Sequence, residues 1–283
     1  VDPFTGNLII SQTDLTLPGK GGLDVTITRV YNSKVHENYG VPGATLRDFV
    51  PPSVVGLGWT IHMGRIVRKT GDSWTAANDS LSGARYYEAP DGGRHVFFQA
   101  ECGEASVAGN QCSSGVLMTT KGLDKLYFST SPSSLDANWD SFPILATADG
   151  RVIEFAYRHT SSGYQYWSAT RITDAWGNSI EIEYLSPAEV NQQACYPQTQ
   201  CAPSNPGYSL IPGYISRITD TWNREINFEY ADLGRRYNCP LSGEAGDGMI
   251  RLHRITVEGI SPTRGHEYEY AAHCNRAGSA LDQ

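Results

Sequence analysis

Two pairs of glutamates are the first residues whose spacing suggests chemistry. Glu181 and Glu183 form one pair, and Glu267 and Glu269 form the other. Alternate residues of a strand share a face, so each pair brings two carboxylates close together, as the acid and base of a glycoside hydrolase require. Both pairs, however, recur within a longer repeated pattern, and a catalytic pair has no need to repeat. We therefore interpret them as a solvated or arginine-paired sheet face, and we predict no catalytic residue and no enzyme activity.

Other site chemistries have less support. Asp149, Asp174 and Asp220 are candidates for a calcium site, but their spacing lacks the pattern of an EF-hand loop. No G-x-S-x-G element is present, and candidates such as His62 and His95 lie in predicted strands, where we favour a structural role. The "GKGG" stretch is a turn signal without the Lys-Ser/Thr of a phosphate-binding loop. We predict no metal and no cofactor.

Two tryptophans occupy the same position in two copies of a repeated turn. Trp176 lies in "DAWG" and Trp222 in "DTWN". An exposed pair would stack on sugar rings and make a carbohydrate-binding surface, so both are candidate glycan contacts. The alternative, which we favour, is that each indole packs over its hairpin end or against the next turn.

The cysteines fall into three sequence-local pairs. The simplest pairing joins Cys102 to Cys112, Cys195 to Cys201, and Cys239 to Cys274. This is a proximity argument, because six cysteines allow 15 connectivities. Disulfides imply an oxidising compartment, and hence a secreted or cell-surface protein. The alternative is six free thiols in a cytosolic protein.

Composition limits the class of protein. The chain has 283 residues, of which 40% are hydrophobic and only 18% charged, with 29 glycines, 15 prolines and 16 tyrosines. This composition favours strands and turns. The net charge is −8 without any Lys/Arg-rich run, which argues against a nucleic-acid partner. The longest apolar stretches are too short to span a membrane as a helix.

Period-two alternation predicts an all-β protein in three segments. Residues 1–70 form an N-terminal β unit, in which "GNLIISQTDLTL" pairs with the strand that follows the "LPGKGG" turn. Residues 71–145 form an irregular β region with a hairpin at "ARYYEAPDGGRHVFF" and a disulfide-tied loop. Residues 146–283 carry β-hairpin repeats.

The repeat is clearest in "RITDAWGNSIEIEY", residues 171–184, and "RITDTWNREINFEY", residues 217–230. Each copy predicts a hairpin with an apolar face and an acidic face, whose turn begins at Asp and ends at a Gly or Asn with positive φ. A lone hairpin is marginal in water, so successive hairpins must pair edge to edge. The arginines that start the copies are candidates to offset the glutamates, if the turn register places them on the same face. The predicted repeat core includes the terminal tyrosines Tyr157, Tyr184, Tyr230 and Tyr270.

These motifs resemble the YD (Rhs) repeat family, which includes bacterial Rhs toxins, toxin-complex proteins and animal teneurins. The repeats are similar to the family's DxxGxxxxFxY pattern. The opening "VDPFTGNLIISQTDLTLPGKGGLDVTITRVYNS", followed by "GLGWTIHMGRIV", is similar to the segment that begins many bacterial Rhs proteins. The resemblance implies a β-sheet that spirals into a hollow shell around a C-terminal toxin or other cargo. We find no DPxGL-type autoproteolytic segment and too few repeats to close a cage, so we expect either further sequence or self-association.

The sequence therefore predicts antiparallel β-hairpin repeats that form a curved or spiralling sheet, preceded by the N-terminal β unit. The predicted function is a non-enzymatic scaffold of a secreted Rhs/YD-repeat protein, forming shell wall or an assembly that encloses or presents a partner. Expected partners are further YD repeats or other protein chains that pair at a β edge, and an enclosed toxin in a longer chain. The alternative is an extracellular adhesin or carbohydrate-binding module that uses the repeat aromatics.

Overall fold

The structure is a computed structural model that describes part of the chain. The described residues are 8–33, 54–55, 58–69, 85–99, 106–107, 111–112, 118–128, 142–161, 164–186, 189, 213–232, 250–259 and 264–268. Their elements are antiparallel β-strands and one 3₁₀ turn at Lys20–Gly22, which confirms the predicted all-β class. No helix among these residues is long and apolar enough to cross a membrane.

The strands form four sheets. A three-stranded sheet contains β1 (Ile9–Leu17), β2 (Val25–Asn32) and β3 (Trp59–Ile61). A five-stranded sheet contains, in spatial order, β14 (Tyr157–Ser161), β15 (Tyr164–Ser168), β4 (Arg65–Lys69), β5 (Tyr86–Glu88) and β6 (Arg94–Val96). A two-stranded ribbon contains β8 (Ser106–Val107) and β9 (Gln111–Cys112).

The fourth sheet has eleven strands and contains the repeats. In chain order its members are β7 (Phe98–Gln99), β10 (Met118–Thr119), β11 (Lys125–Phe128), β12 (Pro143–Ala146), β13 (Val152–Glu154), β16 (Arg171–Thr173), β17 (Ser179–Tyr184), β18 (Ile215–Thr219), β19 (Glu225–Asp232), β20 (Ile250–Val257) and β21 (Arg264–Glu267). Strands that follow one another in this order are hydrogen-bonded neighbours in the sheet. The predicted edge-to-edge pairing of successive hairpins is confirmed.

The connections of the large sheet differ at its two ends. Short turns at residues 120–124, 147–151, 174–178 and 220–224 join β10 to β11, β12 to β13, β16 to β17 and β18 to β19. Because all neighbouring strands are antiparallel, these four turns lie at the same end, which we call the turn edge. The longer connections lie at the opposite end, and one of them contains the β14–β15 hairpin. Insertions between copies therefore leave the turn edge regular.

Alternating side chains along the repeat strands give the sheet one apolar face and one acidic face. Ile180 and Ile182 of β17, and Ile226 and Phe228 of β19, are at most 3% exposed. The glutamates between them face the other side, and Glu183 and Glu229 are exposed. The predicted apolar and acidic faces of the hairpins are confirmed.

The apolar face of the large sheet packs against the three-stranded and the five-stranded sheets. Leu17, Val25 and Ile27 of the N-terminal unit share one buried cluster with Ile218 and Ile226 of the repeats. The five-stranded sheet contributes three further members of that cluster: Ile66, Tyr87 and Trp167. Its strands come from all three segments that the sequence analysis separated. In the described residues the repeat sheet is thus one layer of a filled sandwich.

Candidate functional site

The repeat turns have a common geometry that is set by one aspartate. In residues 174–178, Oδ1 of Asp174 accepts hydrogen bonds from the backbone N–H groups of Trp176 and Asn178, both at 2.9 Å. In residues 220–224, Oδ1 of Asp220 accepts the equivalent bonds at 2.8 and 2.9 Å. The fourth residue of each turn has positive φ, 83° at Gly177 and 58° at Asn223. Both predictions for this turn are confirmed, and the turn is a three-residue hairpin loop.

Two further turns of the same edge have this geometry with threonine in place of aspartate. Thr120 Oγ1 accepts from the N–H of Asp124, and Thr147 Oγ1 accepts from the N–H of Arg151, each at 3.2 Å. Gly150 again has positive φ, as does Leu123. The segment that ends at Tyr157 was recognised as a copy of the repeat, but this turn geometry was not predicted at Thr147 or at Thr120. The available signal was "TADGR", whose glycine stands at the same offset as Gly177.

The three aspartates considered for calcium lie in separate turns and already accept hydrogen bonds. Besides backbone donors, Asp174 accepts from Nδ2 of Asn178 at 2.7 Å, and Asp220 accepts from Nε of Arg224 at 2.6 Å. Asp149 accepts from the Thr147 hydroxyl, and that bond is the main cause of its lowered pKa. Within the described ranges, no group of three or more His, Cys, Asp or Glu side chains is placed to hold a metal ion. We therefore assign these carboxylates to turn formation.

Both candidate tryptophans are exposed on the turn edge. Trp176 is 76% exposed and Trp222 is 57% exposed, so neither indole is packed over its hairpin end as we had favoured. Their turns are separated by one intervening strand pair. This spacing corresponds to roughly 10 Å, twice the distance of about 4.8 Å between neighbouring strands.

One face of this tryptophan pair contacts the N-terminal turn, residues 18–22. The ammonium group of Lys20 lies 4.7 Å from the ring centroid of Trp222, and the backbone N–H of Lys20 donates to Oγ1 of Thr221 at 2.7 Å. A Cβ atom on Gly21 would lie 3.3 Å from Cε3 of Trp176. The sequence contained no signal for this contact, because its partners lie about two hundred residues apart and neither has an unusual local pattern.

The same turn is held by an arginine of the repeat. Arg224 donates from Nη2 to the carbonyl oxygen of Pro18 at 2.6 Å while its Nε donates to Asp220. Residues 18–22 and 220–224 therefore form one hydrogen-bonded unit, which we call the clasp. The clasp fixes the orientation of the turn that carries Trp222.

The repeat-core tyrosines have related roles in the two complete copies. Tyr184 donates from its hydroxyl to the carbonyl oxygen of Ala169 at 2.8 Å, and Tyr230 donates to that of Ile215 at 2.7 Å. In each case the acceptor lies 15 residues earlier in the chain. Tyr157 begins β14 in the five-stranded sheet and stacks on Tyr184 at 4.3 Å between centroids. Tyr270 lies outside the described residues.

The glutamates considered for catalysis form ion pairs across the outer face. Arg171 pairs with Glu181 at 3.1 Å, and Arg217 lies 2.8 Å from Glu183 and 3.0 Å from Glu225. Arg254 lies between Glu229 at 3.9 Å and Glu267 at 3.7 Å. The register therefore places the arginines on the glutamates' face, as our interpretation required. Glu269 lies outside the described residues.

The remaining predicted residues are dispersed. His95 is partly exposed and lies 4.0 Å from Asp124, whereas His62 is buried beside Glu88. Cys112 ends β9, where its Cα is paired with that of Ser106. The other five cysteines, Cys102, Cys195, Cys201, Cys239 and Cys274, lie outside the described residues, so their predicted pairing stays a prediction.

Comparison with known proteins gives one family match and several similar folds. Residues 1–80 match a family described as "Domain of unknown function (DUF6531)". A comparison with curated proteins gave no match.

Three solved structures are similar to the chain. The complex TcdB2-TccC3-Cdc42 has 13% identity and a TM-score of 0.48, over 89% of this chain and 13% of that one. The Photorhabdus luminescens Tc holotoxin pore has 14% identity and a TM-score of 0.47, over 89% of this chain and 13% of that one. The N-terminal domain of the effector SpvB from Salmonella typhimurium strain LT2 has 15% identity and a TM-score of 0.43, over 87% of each chain. The chain thus spans a small part of the first two structures.

Proposed function

We propose that this chain is a non-enzymatic structural unit, a wall segment of a secreted Rhs/YD-type β assembly that encloses or presents a protein partner. The observation that carries the proposal is the continuity of the eleven-stranded sheet. Its last three hairpins pair equivalent positions of the repeat: Ile172 with Ile180, Ile218 with Ile226 and, across a longer connection, Ile255 with His266. A repeated register allows hairpins to be added without changing the buried face.

The two faces of the sheet suit this role differently. The outer face is held by the Arg–Glu pairs, which offset the repulsion between glutamates on neighbouring strands. The apolar face is covered by the N-terminal unit in the described residues. In this proposal the chain is therefore a part of the wall whose apolar face is already covered. Further repeats would line the space that holds a partner.

The strand β21 is the proposed site of pairing with further repeats or with another chain. Among the described residues, β21 pairs only with β20. The N–H of Tyr268 donates back to the carbonyl of His253 at 2.8 Å. Antiparallel alternation then points the N–H of Glu267 away from β20, towards the next strand. An outward row of backbone donors is a template for an added strand.

Proline at this position tests the proposal. Glu267→Pro removes the side chain and the outward N–H but no backbone bond to β20, whereas Glu267→Ala removes the side chain and keeps that N–H. We expect the wild type and Glu267→Ala to associate through this edge in sedimentation velocity, and Glu267→Pro to lose that association. Equal association of the two variants would refute pairing at β21.

The proposed secreted location has its own test. Peptide mapping without reduction should recover Cys102 joined to Cys112, Cys195 to Cys201, and Cys239 to Cys274 in protein collected from outside the cell. Six reduced thiols in such material would contradict the pairing, and retention of the protein in the cytosol would contradict the location.

A second candidate function is glycan binding at the turn edge. The observation that favours it is the exposure of Trp176 and Trp222 at equivalent positions about two strand spacings apart. An aromatic ring held in a fixed orientation binds a sugar ring at a low cost in side-chain entropy. Lys20 lies beside the ring of Trp222 and Gly21 lies near Trp176, and both indoles remain more than half exposed.

Glycan arrays with matched variants test this function. We expect binding by the wild type and by Leu123→Ala, which removes another exposed apolar side chain of the same edge. Trp176→Ala and Trp222→Ala should each lose binding. The absence of binding to any glycan, or binding that survives both tryptophan substitutions, would contradict it.

A further inference from the structure

Two histidines are buried in or beside the five-stranded sheet, and three of their four ring nitrogens have no hydrogen-bond partner among the described residues. His62, 7% exposed, precedes β4, and its Nδ1 accepts a hydrogen bond from the N–H of Gly64 at 3.1 Å. Its Nε2 is buried and has no hydrogen-bond partner within the described part of the chain. His159 of β14 is 9% exposed. Both of its ring nitrogens are also buried and have no hydrogen-bond partner among the described residues. A buried imidazole without an acceptor is strongly disfavoured in its charged form.

Among the charged groups that face His62, Arg65 and Arg94 reinforce this preference, whereas the charge of Glu88 opposes it. Arg65 of β4 donates from Nε to Glu88 of β5 at 2.6 Å, and Arg94 of β6 donates to the other oxygen of Glu88 at 3.2 Å. His62 Nε2 lies 3.8 Å from Glu88, beyond hydrogen-bond distance. Glu88 is therefore already paired with two guanidinium groups. Burial first, and then the charge of Arg65, lower the pKa of His62 to about 3.

The ring of His159 contacts aromatic rings in the described part of the chain. It stacks on Tyr166 of β15 at 4.9 Å between centroids and lies 5.8 Å from the ring of Tyr157. A Cβ atom on Gly213 would lie 3.4 Å from its Cε1. Burial and the charge of Arg65 lower the pKa of His159 to about 3. Arg65 thus disfavours protonation at both histidines.

We propose that the five-stranded sheet is an acid-sensitive element, in which proton uptake by His62 and His159 opens the sheet. The sheet also contacts the eleven-stranded sheet through apolar and aromatic side chains. Tyr87 lies 6.0 Å from Phe155, and Tyr157 stacks on Tyr184 at 4.3 Å. The proposal is independent of the function proposed above.

The direction of the pH effect follows from proton binding. A histidine whose pKa is lowered on folding binds more protons when the sheet is open, so acid favours opening. This stability is lost as the pH falls from about 6.5 towards about 3. Between pH 7 and pH 5 the opening constant should rise roughly 25-fold for one histidine and roughly 600-fold for both.

Glu88 titrates in a lower pH range than the histidines, so its effect on stability can be distinguished from theirs. Despite burial, which would raise it, the pairing with Arg65 lowers the pKa of Glu88 to about 2. Its contribution is lost only as the pH falls below about 4.5, the ordinary value for glutamate. An increase in opening between pH 7 and pH 5 therefore results from protonation of the histidines.

Hydrogen exchange measured by mass spectrometry tests the proposal. With rates corrected for the intrinsic effect of pH, we expect protection of residues 65–69 and 157–168 to fall between pH 7 and pH 5. Residues 215–230 of the large sheet should keep their protection. The variant His62→Asn/His159→Phe keeps an acceptor near Gly64 and a ring on Tyr166 but removes both titrating groups. It should lose the pH response.

His95→Gln is the matched control, because His95 belongs to the same sheet but is partly exposed. It should respond to pH as the wild type does. An equal pH response in the double variant would overturn the proposal. Should that variant fail to fold, the imidazole C–H resonances of the wild type decide, because a midpoint near 6.5 for either His62 or His159 would also overturn it.

Discussion

The most direct test of the turn geometry is removal of the Asp220 carboxylate. Its side chain is fully buried, although it lies in a surface turn. It accepts hydrogen bonds from the N–H groups of Trp222 and Arg224 and from the guanidinium of Arg224. Arg224 also donates to Pro18, so Asp220 supports both the hairpin and the clasp.

The expected loss can be worked from these three bonds. Each backbone bond contributes about 1 kcal/mol, and the bond to the charged guanidinium contributes about 1.5–3 kcal/mol. Asp220→Ala should therefore lower the free energy of unfolding by about 3.5–5 kcal/mol. Asp220→Asn keeps an acceptor for the two backbone donors, so its loss should be smaller, about 1.5–3 kcal/mol.

Equilibrium urea denaturation followed by tryptophan fluorescence measures both variants. Asp24→Ala is the control, since the exposed Asp24 accepts one bond, from the N–H of Gly19 at 2.7 Å. Its loss should stay within about 1 kcal/mol. The reasoning would be refuted if Asp220→Ala lost less than the control, or if Asp220→Asn lost as much as Asp220→Ala.

Three further predictions concern separate contacts. Asp14→Asn should lower the free energy of unfolding by about 3 kcal/mol, because its nearly fully buried carboxylate pairs with Arg29 at 2.6 Å; an unchanged urea midpoint would contradict this. Gly177→Ala should cost about 1 kcal/mol through its positive φ of 83°, since no atom lies within 4 Å of the added Cβ. Asn223→Gly, at φ 58°, should cost little or nothing, and calorimetry giving the opposite order for these two changes would refute the role of φ. Arg217→Glu should lower the urea midpoint at low salt and less so at high salt, and an effect independent of salt would argue against the ion pairs of the outer face.

The repeats show which structural features the local sequence pattern predicts. The alternation of Ile180 and Ile182 with Glu181 and Glu183 predicts which face is buried, because side chains alternate along any strand. The turn at Asp174 was equally predictable, since the aspartate and the residue with positive φ act within five residues. The pairing of arginine with glutamate needed one additional fact, the register, which depends on turn length.

The copy of the repeat that ends at Tyr157 shows where the local sequence pattern fails to predict the structure. Residues up to Phe155 follow the repeat, and Phe155 is fully buried like its counterparts. Tyr157 has the same place in the pattern, but it begins a strand of the five-stranded sheet. The β14–β15 hairpin has ordinary alternation, so its sequence gives no indication of which sheet it joins. That choice depends on β4, whose residues pair with β15 across about a hundred positions of sequence.

The sequence by itself determined the all-β class, the hairpin repeat, its two faces and the chemistry of its turns. These features follow from interactions between residues close in the chain, which alternation and turn residues encode directly. The tertiary structure alone decided that the N-terminal turn contacts the tryptophan turns, that the apolar face of the repeats is covered, and that His62 and His159 are buried around Arg65. Those features depend on packing between distant segments, where many apolar or aromatic residues would satisfy the same local pattern and only shape and register select the partners.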